Sequence, residues 1–254
     1  VLEGAPDLKV ISRCGTGMDS VDLDAARARG IEVRNTPDAP ALAVAELTMG
    51  LILGALRNIA RADRSLRAGQ WEPLSGGLLN GRRVGLVGHG RIGRRVGALC
   101  RAFGAETMAH DPAPPPPGDD VARAGLDDLL AWADIITLHV PGGPSTANMI
   151  DRAALAGMKP GAILVNTARG GLVDEEALAE ALRDGRLRAA ALDTFAEEPY
   201  AGPLTGLDNA VLTAHMGSRA DESRRNMERE AADNLLDALR AQGALPAPAS
   251  AEGD

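Results

Sequence analysis

The chain has few lysines, few cysteines and no long apolar run, and each shortage removes a class of function. Of its 27 basic residues only Lys9 and Lys159 are lysines, and the arginines are scattered among 35 acids for a net charge of -8. A nucleic-acid surface needs a concentrated basic patch to neutralise phosphates, and none is present. No stretch approaches the roughly 18 to 20 continuous apolar residues that span a bilayer. The first residues also lack the basic-then-apolar pattern of a secretory signal, and the expected location is the cytoplasm. Two cysteines, Cys14 and Cys100, cannot build a disulfide framework. Cys100 falls in a helical apolar pattern with Val96 and Phe103 and reads as a small core residue. Cys14 lies beside a glycine turn without a local base to activate it. An initiator Met is lacking as well. The chain opens on Val1-Leu2-Glu3-Gly4, which reads as the end of an element already under way, and an incomplete N-terminus is expected.

What is present is an alternation of short apolar runs with helical patterns. Residues 8–12 read as a buried strand, followed by a glycine-bearing loop at 14–19, a helix over 22–29 that stops at Gly30, and a strand at 31–33. From 43 to 60 the residues Val44, Leu47, Thr48, Leu51, Ile52, Ala55, Leu56 and Ile59 follow helical spacing, while Met49 and Leu53 make other faces apolar too. Such a helix is buried on several sides, and a second subunit is a natural way to cover the extra face. After a Gly/Pro/Asn-containing connector at 71–81, strands are expected at 84–87, 105–109, 135–140, 162–165, 189–192 and 210–213, with helices between several of them. That alternation predicts an α/β fold with a doubly wound parallel sheet. A last helix over 218–242 starts from a candidate cap at Ser218, and the tail 244–254 is expected to be disordered. The tract Pro112-Ala113-Pro114-Pro115-Pro116-Pro117 reads as a stiff surface connector.

The cofactor is indicated by Gly88-His89-Gly90-Arg91-Ile92-Gly93, which follows a strand and opens a helix. Gly88 permits the turn, Gly90 lets the backbone approach a pyrophosphate, and Gly93 allows helix and strand to pack closely. The helix N-terminus supplies free N–H groups for the phosphates, and Arg91 can add a charged contact. The next strand ends at Asp111, 18 residues after Gly93, near the position of a ribose-binding acid. A carboxylate there repels a 2'-phosphate, so NAD is preferred over NADP. No metal is expected.

Arg169, Glu198 and His215 each lie just past an apolar or small-residue run, where an α/β sheet places its ligands. Among the four histidines, His89 lies inside the phosphate turn and should face outward or toward the phosphates. His110 neighbours Asp111 at the adenosine end, and His139 suggests a wall of the adenine or ribose pocket. His215, late in the sheet, is the candidate acid/base, because imidazole titrates near the operating pH. Glu198 can orient its ring, and Arg169 offers a planar fork for a substrate carboxylate. Taken singly, each of the three fits a structural ion pair equally well.

Together these motifs resemble the D-isomer-specific 2-hydroxyacid dehydrogenases, their 3-phosphoglycerate dehydrogenase branch in particular, from about Leu2 to about Leu239. The resemblance is carried by Ile11-Ser12-Arg13-Cys14-Gly15-Thr16-Gly17-Met18-Asp19, Val44-Ala45-Glu46-Leu47-Thr48, the glycine fingerprint, Asn166-Thr167-Ala168-Arg169-Gly170-Gly171, Leu192-Asp193-Thr194-Phe195 with Glu198-Pro199, and Thr213-Ala214-His215-Met216-Gly217. It implies that Arg169, Glu198 and His215 match the family's catalytic arginine, glutamate and histidine. It further implies cofactor contacts at Thr16, Arg91, Ile92, Asp111, Val140, Thr167, Ala168, Arg169, Asp193 and the turn of His215, Gly217 and Ser218, with Asp193 meeting the nicotinamide amide. Thr16 and Gly17 would join Arg169 in holding a substrate carboxylate. The implied architecture is a Rossmann cofactor domain, 40–217, inserted into a smaller flavodoxin-like substrate domain, 1–39 and 218–254. The implied assembly is a homodimer through the cofactor domain. The expected activity is hydride transfer between NAD(H) and a small 2-hydroxy or 2-oxo acid, with 3-phosphoglycerate the leading substrate. A catalytically idle NAD(H)-sensing protein, like the corepressor relatives of the fold, is the alternative, as is a formate or phosphite dehydrogenase. The sequence departs from the family at Pro40, where many relatives have Asn, at Ala214, where they have Pro, and at Ser218, where Gly is common.

Overall fold

The structure is a computed structural model that describes residues 2–246. Its chain folds into two compact units, Val1–Ala41 with Ser218–Asp254, and Leu42–Gly217.

The smaller unit begins with β1 (Val10–Arg13), α1 (Leu23–Ala28) and β2 (Glu32–Asn35). Asp22 caps α1 by accepting the Ala25 N–H (2.9 Å), and Gly30, at φ 67°, turns the chain out of the helix. The larger unit holds α2 (Ala41–Arg57), α3 (Ile59–Arg67), β3 (Arg83–Val87), α4 (Arg91–Ala102), β4 (Glu106–His110), β5 (Ala122–Arg123), α5 (Leu126–Trp132), β6 (Ile135–Leu138), α6 (Arg152–Gly157), β7 (Ala162–Asn166), α7 (Glu175–Arg183), β8 (Leu187–Leu192) and β9 (Ala210–Leu212). The chain then returns to the smaller unit as α8 (Asp221–Ala241). There β1 and β2 pair in parallel, with Val10 opposite Glu32. Side chains tie α8 to both: Ser12 Oγ donates to Ala231 O (2.7 Å) and Asn234 Nδ2 to Asn35 O (3.0 Å).

In the larger unit seven strands form one parallel sheet in the order β5-β4-β3-β6-β7-β8-β9. The doubly wound α/β expectation is met. Two apolar cores show why. Strand residues alternate, so Ile136, Leu138 and Leu164 join Leu129, Leu155 and Leu178 of α5, α6 and α7, while Ile135, Ile163 and Val165 join residues of α2 and α4. Period-two burial on both faces is what a parallel sheet between helices requires. Near the start of β8 the register slips by one residue, which puts Leu187 and Ala190 in the same core. Cys100 is fully buried as expected, 3.6 Å from the Met49 sulfur, and burial pushes its thiol up to about 12.

Two expectations are corrected. The helix over 43–60 is two helices, bent by 64° at Asn58. That residue takes the left-handed conformation (φ 55°), which Asn tolerates, and its side chain donates to Ser75 O (3.0 Å). The last helix begins at Asp221 behind Ala220, so Ser218 is not its cap; acidic Asp221 and Glu222 serve its N-terminus instead. The two-residue strand β5 was not foreseen, being too short to show alternation. Of the tail expected to be disordered, residues 247–254 lie outside the described residues. Among the described residues no single helix is long and apolar enough to cross a membrane.

Because all seven strands run in parallel, Gly88, Asp111, His139, Thr167, Asp193 and Thr213 follow strand ends along one edge of the sheet. The chain reverses direction across the sheet between β3, which pairs with both β4 and β6, and that switch point is where such sheets bind ligands.

Candidate active site

The fingerprint turn is shaped by backbone crowding. Gly88 has φ 92°, and a Cβ on it would stand 2.7 Å from the His139 carbonyl carbon; one on Gly93 would stand 2.1 Å from Gly88 O. Gly90, by contrast, faces open space. It is the N-cap of α4, where no side chain caps and no acid occupies the first turn. The helix start therefore presents its N–H groups outward, with Arg91 exposed and Ile92 half-buried beside them. These features fit a dinucleotide pyrophosphate.

Asp111 follows β4 with its carboxylate partly engaged: Oδ2 accepts the His89 N–H (2.7 Å) and Oδ1 the Ala113 N–H (2.8 Å). Burial works to raise its pKa, but those two donors and Arg123 outweigh it and hold the group below the usual carboxylate value. Each oxygen keeps acceptor capacity for a hydroxyl. His89 does not face outward. Its side chain is buried, with Nε2 3.0 Å from Asp119 Oδ2, and it lines one cavity with Pro116 and Pro117 of the proline-rich connector. Desolvation lowers its pKa against the pull of Asp119. His110 Nδ1 lies 3.2 Å from Ala124 O. His139, a partly exposed residue overall, sets its ring near Gly93 with Nε2 3.1 Å from Thr137 Oγ1, and desolvation pushes it down to about 3. Val140, next along the chain, stands 2.9 Å from a Cβ built on Gly88.

After β7 the chain is held by Asn166, whose buried side chain donates to Arg169 O (2.8 Å) and accepts the Ala168 N–H (3.0 Å). Thr167 Oγ1 lies 2.8 Å from the buried Thr48 Oγ1. Arg169 Nη1 donates to Ala168 O (2.7 Å), and Gly142 leaves room for its stem.

Glu198 and His215 meet directly. His215 Nδ1 lies 2.8 Å from Glu198 Oε2 and 3.1 Å from Oε1, and the Phe195 N–H donates to Oε1 (3.1 Å). An ionised carboxylate only accepts, so Nδ1 carries a proton, and whenever the ring is neutral Nε2 is its acceptor. Burial works against the charge of Glu198, but the His215 and Phe195 hydrogen bonds and the positive charges of His215 and Arg169 hold its pKa below the ordinary value. His215 stands at φ 48°, a left-handed position for a side-chain-bearing residue. Asp193 keeps it there. Its backbone carbonyl accepts the His215 N–H (2.8 Å), and its carboxylate accepts the Thr213 hydroxyl (2.6 Å) and the N–H groups of Met216 (2.9 Å) and Gly217 (2.8 Å).

Of the positions given to the cofactor or the substrate, Thr16, Gly17 and Ser218 belong to the smaller unit. There Thr16 O accepts Asn35 Nδ2 (2.7 Å), and the Gly15 N–H donates to Thr36 Oγ1 (2.7 Å). Asn166 as a brace was not singled out from the sequence; the Asn-Thr-Ala-Arg-Gly-Gly string that contains it was the available signal.

Residues 49–217 match the family model described as D-isomer specific 2-hydroxyacid dehydrogenase, NAD binding domain. The chain belongs to that family. Among the D-isomer specific 2-hydroxyacid dehydrogenases, the D-3-phosphoglycerate dehydrogenase of Mycobacterium leprae is 47% identical over 247 residues, covering 94% of this chain and 46% of that protein. The hydroxypyruvate reductase of Thermotoga maritima is 44% identical over 245 residues, covering 94% of this chain and 80% of that one. A solved glyoxylate reductase from Paecilomyes thermophila superposes with a TM-score of 0.89 at 35% identity, covering 98% of this chain and 77% of that one. The chain thus spans about half the length of the curated phosphoglycerate dehydrogenases it matches.

Proposed function

We propose that this chain is the catalytic portion of an NAD-dependent D-2-hydroxyacid dehydrogenase, interconverting a small 2-hydroxy acid and its 2-oxo acid. The observation that carries this reading is the Glu198–His215 hydrogen bond at 2.8 Å, formed past the ends of the same parallel sheet whose β3 end carries a turn built for a pyrophosphate. Gly88, Gly90, Arg91, Ile92 and Gly93 would hold the cofactor phosphates, Asp111 the adenosine ribose, and Val140, Thr167, Ala168, Asp193, Gly217 and Ser218 the remainder. When bound, NAD supplies the acceptor for the hydride that leaves the substrate carbon. His215 Nε2 takes the proton from the hydroxyl on that carbon, and the adjacent Glu198 carboxylate stabilises the imidazolium that results. Arg169 binds the substrate carboxylate through its guanidinium fork. In the reducing direction the same groups work in reverse.

The residues 40–217 then form the NAD-binding domain, and 1–39 with 218–254 the substrate domain. Asp111 supports NAD over NADP, since a carboxylate at the ribose repels a 2'-phosphate. A homodimer through the larger unit is supported by exposed apolar side chains at Leu42, Ile59, Leu66, Trp71 and Leu78. A cytoplasmic location completes the reading.

For the substrate, 3-phosphoglycerate is the leading candidate, because the phosphoglycerate dehydrogenases reach 47% identity. A second candidate, hydroxypyruvate, is favoured by the Thermotoga maritima relative, whose length this chain covers more fully. Loss of absorbance at the NADH band with phosphohydroxypyruvate, hydroxypyruvate, glyoxylate and pyruvate separates them. Turnover of at least one 2-oxo acid is expected; NADH binding without turnover of any would leave an NAD(H)-sensing protein in its place.

A further inference from the structure

Glu198 faces His215 because the loop that carries it is held from outside. On one side stands Gly170, next to Arg169: a Cβ there would lie 1.7 Å from the Phe195 carbonyl carbon and 2.2 Å from the Ala196 nitrogen, so the two backbones are in direct contact. On another stands Glu175, the first residue of α7. Its Oε1 accepts the Ala196 N–H at 2.8 Å, and the Tyr200 hydroxyl lies near enough to its carboxylate to influence it electrostatically. Tyr200 in turn stacks on Phe195, with ring centroids 4.1 Å apart, and its oxygen accepts the Leu204 N–H (3.2 Å).

An acid in the first turn of a helix ordinarily serves the free N–H groups and dipole of that helix. Here that work falls to Asp174, the N-cap, which accepts the Ala177 N–H at 2.9 Å. Glu175 is turned instead to a loop about twenty residues further along the chain. Its carboxyl is partly buried there, and desolvation raises its pKa, a cost that helix capping alone does not require.

We propose that Glu175 is a positioning residue for the reaction: by accepting the Ala196 N–H, it clamps the 195–200 loop against Gly170 and so sets Glu198 opposite His215. The Phe195 N–H that donates to Glu198 Oε1 belongs to the same short turn, so a shift at Ala196 is transmitted to the carboxylate within three residues. This inference rests on the proposed function, because only there does the pair move a proton.

The test uses the whole chain and the 2-oxo acid that the wild type reduces. Glu175→Ala should lower kcat by about ten- to a hundredfold, the size of effect expected from misplacing a catalytic group. The KM for NADH should stay unchanged, and the acid limb of kcat/KM should move to higher pH as Glu198 loses its hydrogen bond to His215. Glu175→Gln retains an oxygen acceptor for Ala196 and should recover most of the wild-type rate. If Glu175→Ala lowers only the Tm, with kcat and pH profile intact, or if Glu175→Gln is as defective as the alanine variant, the positioning role is wrong. Should the alanine variant fail to fold, Glu175→Asp, which retains charge but shortens the reach, must show the same kcat loss in milder form. An inactive wild type would instead sink the dehydrogenase reading. In that case the 15N signals of the His215 ring still test the clamp: they should differ between wild type and Glu175→Ala, and identical spectra would overturn it.

Discussion

The two halves of the candidate site are built by opposite means. At the β3–α4 turn the shape comes from backbone against backbone: Gly93 abuts Gly88 O, Gly88 abuts His139, and Gly90 stands open. Where Glu198 meets His215, past the ends of β8 and β9, side chains do the holding. Asp193 gathers three donors from 213–217, and Glu175 reaches across from α7. A pyrophosphate is the same in every partner and can be met by fixed N–H groups, so a short local motif suffices. Proton transfer needs two side chains within hydrogen-bond reach, and residues distant in the chain must cooperate to hold them.

Variants on either half should separate binding from chemistry. The largest effect is expected at the pair: His215→Ala should reduce kcat by about 10²- to 10⁴-fold, the usual contribution of a general acid/base, while NADH binding measured by fluorescence is unaltered. A matching loss of NADH affinity would mean that the two halves are not separable. At the turn, Gly93→Ala drives a Cβ to 2.1 Å from the Gly88 carbonyl oxygen, which cannot move without opening the turn. Stability should fall by about 1–3 kcal/mol and NADH affinity by about tenfold or more, with equilibrium unfolding and a binding titration as the readouts. The smallest effect concerns pH. Because the folded state holds the Glu198 pKa below its unfolded value, the stability it contributes is present above about pH 4.3 and is lost as the pH falls through the depressed value. Side-chain exposures of 51% for His215 and 37% for Glu198 limit this to less than about 1 kcal/mol. Glu198→Gln should flatten that part of the stability curve, and an unchanged acid dependence would show that the pair adds nothing to folding.

Legibility in the sequence follows the same division. The parallel sheet was readable because each strand's apolar run is local and its burial on both faces leaves a continuous signature, as in Ile135–Leu138 and Ala162–Asn166. The glycine fingerprint was readable for the same reason. Arg169, Glu198 and His215 were visible as candidates, but their residues alone did not distinguish catalysis from ion pairing. The burial of His89 against Asp119 was misread, since the direction of a side chain in a tight turn depends on the connector packed over it. The break at Asn58 was missed because apolar spacing continues through Ile59 while the backbone turns left-handed.

The sequence by itself determined the alternation of the longer strands with helices, the glycine turn and its following acid, and the buried state of Cys100, because each depends on residues within one or two turns of the chain. Only the tertiary structure decided that Glu198 and His215 share a hydrogen bond, that Asp193 holds the turn after β9, and that Glu175 braces a loop some twenty residues away. Those contacts join segments whose spacing in the chain carries no periodicity, and they exist because the parallel sheet brings its strand ends to one edge.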